Sequence, residues 1–326
     1  MNFSSFINCI DPDNYSSSLI YVTIAVVSYN VEKYIEEAID GIFMQRVQPN
    51  IKISILIADD CSTDKTIEII KRKENESPWP FYYLQNAHNL GITRNYRRIF
   101  EFCDCDFIAI IEGDDIWCSP YHLQQHLSLL DSHHEITLSI NSFIPFRKQD
   151  SNIEFFSPSR PYQNAIKIIT LDEMLEHNYV GNFSSCVLRC SAVKKIDTRI
   201  WTLDIPNVDD WLIGIEMSRY GIVACISEIS TLYRLNPTAF YSVKSDKEKW
   251  KEIYRRYHIY HEYLGGKYLE RGLLAEKEQW RKDNWSLARQ SLFILSKRIK
   301  HFFIRVVSFF LSPKTKTKIK KRIFNR

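Results

Sequence analysis

The sequence predicts an α/β fold, a mostly parallel sheet covered by helices on both faces, with a helical, basic C-terminal extension. Three observations predict it. Apolar runs of strand length alternate with helical-period segments from residue 20 to about residue 135, the connections between them are short, and carboxylates crowd the ends of the second and fourth runs. Alternation of this kind implies right-handed crossovers and parallel strands, and ligands of such sheets bind at the carboxyl ends of the strands. The 326 residues, 45% hydrophobic and 25% charged, suffice for a domain of roughly 200 residues plus an appendage.

The first strand is Leu19 to Val27, "LIYVTIAVV", a continuous apolar run of the kind buried on both faces. In the following "SYNVEKYIEEAIDGIFMQ", Ile35, Ile39 and Phe43 recur at helical spacing. Ile51 to Ala58 is the second strand, and "STDKTIEIIKRKENE" is a helix that Ser62 or Asp64 is placed to cap. Phe81 to Leu84 forms a short third strand, and Asn89 to Phe102 a helix entered through Gly91. Phe107 to Ile111 is the fourth strand, and Pro120 opens the helix "PYHLQQHLSLLDS" in a position that suits proline. After residue 135 come strand-like pieces, "EITLSINSFIPF", "SSCVLRC", "IVACIS" and "STLYRL", with helices around Leu171–His177 and Asp209–Tyr220. The chain thus divides into an N-terminal tail (1–19), one domain (20–237), a helical extension (238–290) and a basic tail (291–326).

Charge is unevenly spread. The net charge is +4, yet residues 291–326 hold eleven Lys or Arg and no Asp or Glu, which leaves 32 basic against 39 acidic residues in the rest. The two parts therefore suit different partners. The eight cysteines show no C-x-x-C spacing and fit a reducing, cytoplasmic location better than a disulfide framework. The N-terminus lacks the basic start and apolar core of a signal peptide, and no run of 18 apolar residues suggests a membrane span.

The second strand ends in "IADDCSTD" (Asp59, Asp60, Asp64) and the fourth in "IEGDD" (Glu112, Asp114, Asp115), so both acidic clusters fall on one rim. Turn and cap roles account for Asp59 or Asp64 taken singly. Three carboxylates in four residues after a buried strand fit a hard cation better, because like charges about 4 Å apart repel by roughly 1 kcal/mol in water and about 4 kcal/mol near a protein surface. Mg²⁺ or Mn²⁺ is held by one or two carboxylates plus substrate phosphate oxygens. His122 and His126 stand four apart on one helix but have no carboxylate partner in register, so they are not read as ligands.

"VVSYNVEKYIEEAIDGIFMQ", "IADDCSTDKT", "NAHNLGITRNY", "FIAIIEGDDIW" with the following "LQQHL", "VDDWLIGIEMSRYG" and "LYRLNP" resemble, in order and spacing, glycosyltransferase family 2 over residues 20–237. That resemblance implies a GT-A fold and an inverting enzyme that uses a nucleotide-activated sugar, most readily a UDP-sugar. It implies that Val27, Tyr29 and Asn30 border the nucleotide, that Asp60 accepts from the base, and that Arg94 approaches the nucleotide. It places Asp114 and Asp115 as the acidic pair, toward ribose and on a divalent metal (Mg²⁺ or Mn²⁺), with Glu112 at the preceding acidic position where relatives often have Asp. Asp210 is implied as the base that takes the acceptor hydroxyl's proton, with Asp209 and Trp211 toward the acceptor. From spacing alone, Asp209 and Asp210 also suit a helix N-terminus, and Trp117 and Trp211 also suit core anchors. Two positions depart from the family pattern: Asn236 where His is frequent, and Cys61 where Gly is usual.

In the tail, "SLFILSKRIKHFFIRVVSFFL" mixes five phenylalanines (Phe293, Phe302, Phe303, Phe309, Phe310) with Lys297, Arg298, Lys300 and Arg305. That pattern predicts peripheral contact with the inner face of an anionic membrane rather than nucleic-acid binding, in keeping with glycan or lipid-linked acceptors and surface-polysaccharide assembly. A sugar nucleotidyltransferase is the enzyme alternative, but it predicts a glycine-rich basic loop that "VVSYNVEKY" lacks. An inactive sugar-binding or scaffold protein of the same fold predicts loss of the carboxylates at 114, 115 and 210, all of which are present.

Overall fold

The computed structural model describes residues 18–149, 152–159, 165–203, 210–236, 255–256 and 258–265, all within one compact unit, Met1–Gly272. Most of the N-terminal tail, Asp209 and the whole basic tail lie outside the described residues.

Four N-terminal strands, β1 (Ile20–Ser28), β2 (Ile51–Asp59), β3 (Phe81–Tyr83) and β4 (Phe107–Glu112), pair in parallel in the order β3-β2-β1-β4. The C-terminal halves of β1 and β2 are buried on both faces, with Ile24, Val26, Ile55 and Ile57 on one side and Ala25 and Leu56 on the other, whereas Tyr21 and Lys52 near their starts are exposed. α1 (Ile35–Phe43) contributes Ile35, Ala38, Ile39 and Ile42 to that core, and α3 (Ile92–Phe102) buries Tyr96, Ile99 and Phe100. α2 (Thr66–Glu74) is tied to α1 by the half-sequestered Lys73 ammonium, 2.8 Å from Asp40 and 2.6 Å from Glu76. Lys65 is the N-cap of α2 and makes no side-chain cap bond, while Asp64, just before it, accepts the Thr66 N–H at 3.0 Å. Winding runs from β1 outward to β3 and then returns across β1 to β4, so the switch point of the sheet lies between β1 and β4.

Beyond β4 the sheet becomes mixed. β5 (Ile116–Trp117) follows a tight turn, α4 (His122–Ser132) begins two residues after Pro120, which lies in the preceding turn, and β6 (Ile136–Gln149) pairs with β7 (Asn152–Phe155) as a hairpin. β8 (Ile166–Ile169), α5 (Leu171–Glu176), β9 (Cys186–Arg189), the short α6 (Cys190–Val193), α7 (Asp210–Tyr220) and β10 (Ile222–Arg234) complete it. β9 inserts antiparallel between β4 and β6, while β6 and β10 run parallel. "IVACIS" and "STLYRL", expected as separate strands, form the single strand β10, whose pairing with β6 shifts register between Ile226 and Ile229 and again before Thr231. From the helical extension, Tyr260 packs edge-on against Trp211, ring centroids 5.9 Å apart, and Tyr263 donates its hydroxyl proton to Glu216 at 2.9 Å.

A buried polar layer joins α4 to the second half of the sheet. His122 stacks on Trp117 at 4.3 Å with Nδ1 2.9 Å from the Ser230 hydroxyl, and His126 lies 2.8 Å from the Ser139 hydroxyl. Neither ring's Nε2 has a hydrogen-bond partner, so both rings are structural and neutral. Burial pushes His126 down to about 3 and His122 well below its ordinary 6.5. The unfolded chain takes up protons at these rings below pH 6.5 that the folded chain refuses, so stability is present above that value and falls as pH drops through it. At about pH 5.5 the loss is about 1 kcal/mol per histidine. Thermal melts between pH 7 and 5.5 should show His126→Gln less stable than wild type at pH 7 but with a shallower fall toward pH 5.5. Parallel slopes would contradict a neutral buried His126.

Candidate active site

The carboxyl ends of β1, β2 and β4 converge at the switch point. Gly113 N–H bonds the Val27 carbonyl at 2.8 Å, and a Cβ at Gly113 would sit 3.0 Å from Val31 and 3.2 Å from that carbonyl. Glycine thus lets the turn after β4 run against the end of β1, which sets Glu112 and Asp114 beside the nucleotide-side loop. Tyr29 is exposed there, while the Val27 side chain is buried and offers only its backbone. Asn30 adopts φ 51° and Cys61 φ 65°, the left-handed region that explains the usual glycine at position 61. Asn30 stitches the β1 end to the next loop: its N–H donates to Ser62 Oγ at 2.9 Å, and its side-chain oxygen accepts from Thr63 N–H at 2.8 Å.

Asp59 and Asp60 both turn inward. Asp59 accepts from the Ser28 hydroxyl at 2.9 Å and from Ser62 N–H and Oγ–H at 2.8 and 2.6 Å. Asp60, 4% exposed, accepts from Asn86 Nδ2, Leu90 N–H and Gly91 N–H at 2.6 to 2.8 Å. These three donors come from the loop between β3 and α3, so the carboxylate fixes the entry to α3. Arg94, on the first turn of that helix, is exposed.

The acidic trio divides its labour. Asp115, 1% exposed, accepts from Ser184 Oγ–H (2.6 Å), Asn182 Nδ2 (2.9 Å) and Arg234 N–H (2.8 Å). A buried carboxylate with these three donors is a strut between segments. Glu112 and Asp114 are the partly accessible members. Tyr96, buried on α3, donates its hydroxyl proton to Glu112 Oε1 at 2.9 Å, and the Asn236 side chain hydrogen-bonds the Asp114 carboxylate. Arg234 donates from Nε to the Asp114 carbonyl at 2.7 Å, pairs with Glu37 of α1, and lies between the Tyr34 and Phe146 rings at 4.6 and 4.5 Å.

The carboxylates titrate against one another. Burial, then the charges of Asp115, Asp114 and Asp210, holds Glu112 well above its ordinary 4.5. Burial followed by Asp114 pushes Asp115 up to about 7, and burial raises Asp114 against the pull of Arg234 and Asn236. The field of Asp210 also reaches Tyr96 and Tyr233. Asp210, the first residue of α7, is therefore brought from far along the chain into the same acidic patch, where the Asn178 amide lies 3.2 and 3.3 Å from its two oxygens. Trp211, the next residue, is 4% exposed and its indole N–H is bonded to the Met174 carbonyl at 2.5 Å, the arrangement of a core anchor. Trp117 likewise anchors the core, donating to the Ser184 carbonyl at 2.7 Å. Tyr96, Asn182, Ser184 and Asn178 carry no spacing signal, and their roles emerge only from the fold.

The profile of Glycosyl transferase family 2 matches residues 23–197. An uncharacterized protein of Mycobacterium tuberculosis is 26% identical over 232 residues, 71% of this chain and 64% of that protein, so the chain spans less than two thirds of its length. Abequosyltransferase RfbV of Salmonella typhimurium is 33% identical over 94 residues, 29% of this chain and 28% of RfbV. The structure of Staphylococcus aureus TarS residues 1–349 in complex with UDP-GlcNAc shares the fold at TM-score 0.55 and 16% identity, over 74% of this chain and 67% of that one. With more than half its length matched, the chain belongs to glycosyltransferase family 2.

Proposed function

We propose that this protein is an inverting glycosyltransferase that moves a sugar from a nucleotide diphosphate sugar, a UDP-sugar by preference, to a hydroxyl acceptor during assembly of a bacterial surface polysaccharide. The observation that carries the reading is the placement of Asp210 in the electrostatic field of Glu112, at the switch point of the sheet. RfbV and TarS bear the names of sugar transferases, and the TarS complex contains UDP-GlcNAc.

The donor set suits a hard divalent cation such as Mg²⁺ or Mn²⁺. Glu112 and Asp114 are oxygen ligands whose burial and mutual repulsion ask for positive charge. Among the described residues no group of three or more His, Cys, Asp or Glu is placed to hold a metal ion by itself. When bound, the ion would supply Lewis-acid stabilisation of the leaving phosphates. The chain's own part is positional. Tyr96 holds Glu112, Asn236 and Arg234 hold Asp114, and exposed Tyr29 and Arg94 border the nucleotide side. Asp210 takes the acceptor hydroxyl's proton as that oxygen attacks the anomeric carbon from the face opposite the departing diphosphate, which inverts its configuration. Asp209 is assigned to the acceptor side from sequence. The tail at 291–326 is assigned to the inner face of the membrane on the same basis. Among the described residues no helix is long and apolar enough to cross a membrane.

Incubating the protein with a panel of nucleotide sugars, with Mn²⁺ or with chelator, should show donor turnover that chelator abolishes. Asp210→Asn should lower kcat by roughly 100-fold or more with little change in donor KM. Absence of binding and turnover with every donor would refute the transferase reading. Deleting residues 291–326 should release the protein from vesicles containing anionic lipid in a sedimentation assay, and undiminished binding would refute the membrane role of the tail.

A further inference from the structure

Asn178 stands in the connection after α5, and its side chain is held at both ends. Its Oδ1 accepts from Val180 N–H at 3.0 Å and from Gly181 N–H at 3.1 Å, in a turn where Gly181 takes φ 68°. An atom that accepts two backbone N–H groups must be the oxygen, so the orientation of the amide is decided by its surroundings. The nitrogen end then faces Asp210 and lies 3.2 and 3.3 Å from its two oxygens. Asp210 begins α7, its Oδ1 also accepts from Trp211 N–H at 3.0 Å, and a proton acceptor must be held in one orientation to meet the acceptor hydroxyl in line. Nothing in the family match or in the relatives' names assigns a role to position 178.

We propose that Asn178 is a positioning residue that clamps the Asp210 carboxylate for proton abstraction, the 178–181 turn serving as a fixed mount. The inference rests on the reading of Asp210 as the base. Glu112, Tyr96 and Tyr233 are the other titratable groups in whose field Asp210 stands. The carboxylate among them repels Asp210, so a neutral donor is the chemistry that can orient it without adding charge.

Asn178→Asp separates clamp from mount, because it keeps an oxygen for the Val180 and Gly181 N–H groups and replaces the donor facing Asp210 with an anionic acceptor. In the full-length protein, with the nucleotide sugar found active in the panel, this variant should melt within a few degrees of wild type and keep its donor KM. Its kcat should fall roughly 10- to 100-fold. Asn178→Ser, which retains a hydroxyl acceptor for the turn with no amide to reach Asp210, should lose kcat in the same range and covers the case in which the aspartate variant does not fold. Wild-type kcat in either folded variant, with Asp210→Asn inactive, overturns the clamp. Wild-type kcat in Asp210→Asn overturns the base assignment itself, which is a separate result.

Discussion

The site hangs on one buried carboxylate. Asp115 is almost fully inaccessible and accepts from Asn182, Ser184 and the Arg234 backbone, three donors that chain connectivity leaves far from the β4–β5 turn. An ionised carboxylate is costly to bury unless such donors surround it, and here the donors are the segments that must meet. The tie fixes β10 and the 182–185 turn against the end of β4. It thereby decides that its neighbour Asp114 points the other way, into the cleft.

The rest of the electrostatics follows from that geometry. With Asp115 tied internally, Glu112 stands in the field of Asp114 and Asp210. The Arg234 guanidinium is occupied by Glu37 and by the Asp114 carbonyl, so it stabilises the scaffold more than it neutralises the cleft. The patch is therefore an acidic arrangement whose members are held by neutral donors, Tyr96 on Glu112, Asn236 on Asp114 and Asn178 on Asp210.

The fold was legible where pattern and burial coincide. The β-branched runs at Ile20–Ser28 and Ile51–Asp59 are buried on both faces in their second halves, as Phe107–Ile111 is throughout, and such runs announce themselves by composition. Glu112, Asp114 and Asp210 were legible as a group because each follows a strand end or opens a helix. What the sequence withheld was direction. Whether Asp60 and Asp115 face a ligand or the interior depends on donors at Leu90, Gly91, Asn182, Ser184 and Arg234, and no local spacing relates these to the carboxylates they satisfy. The same holds for Trp211, whose fate is set by the Met174 carbonyl. Joining two expected strands into β10 was hidden for another reason: the register shifts near Ile226 and Ile229 interrupt the alternation by which a strand is recognised.

Those shifts also limit how far an error of register can spread. A strand in perfect register transmits any one-residue slip along its whole length, turning every side chain to the opposite face. In β10 the irregular pairing separates Ile222–Ile226, which pairs with β8 and β6, from Thr231–Arg234, which carries the arginine beneath the cleft. A slip confined to the first portion is thus kept from the second, where Arg234 pairs with Phe146 at the base of the 146–155 hairpin and holds the Asp114 carbonyl.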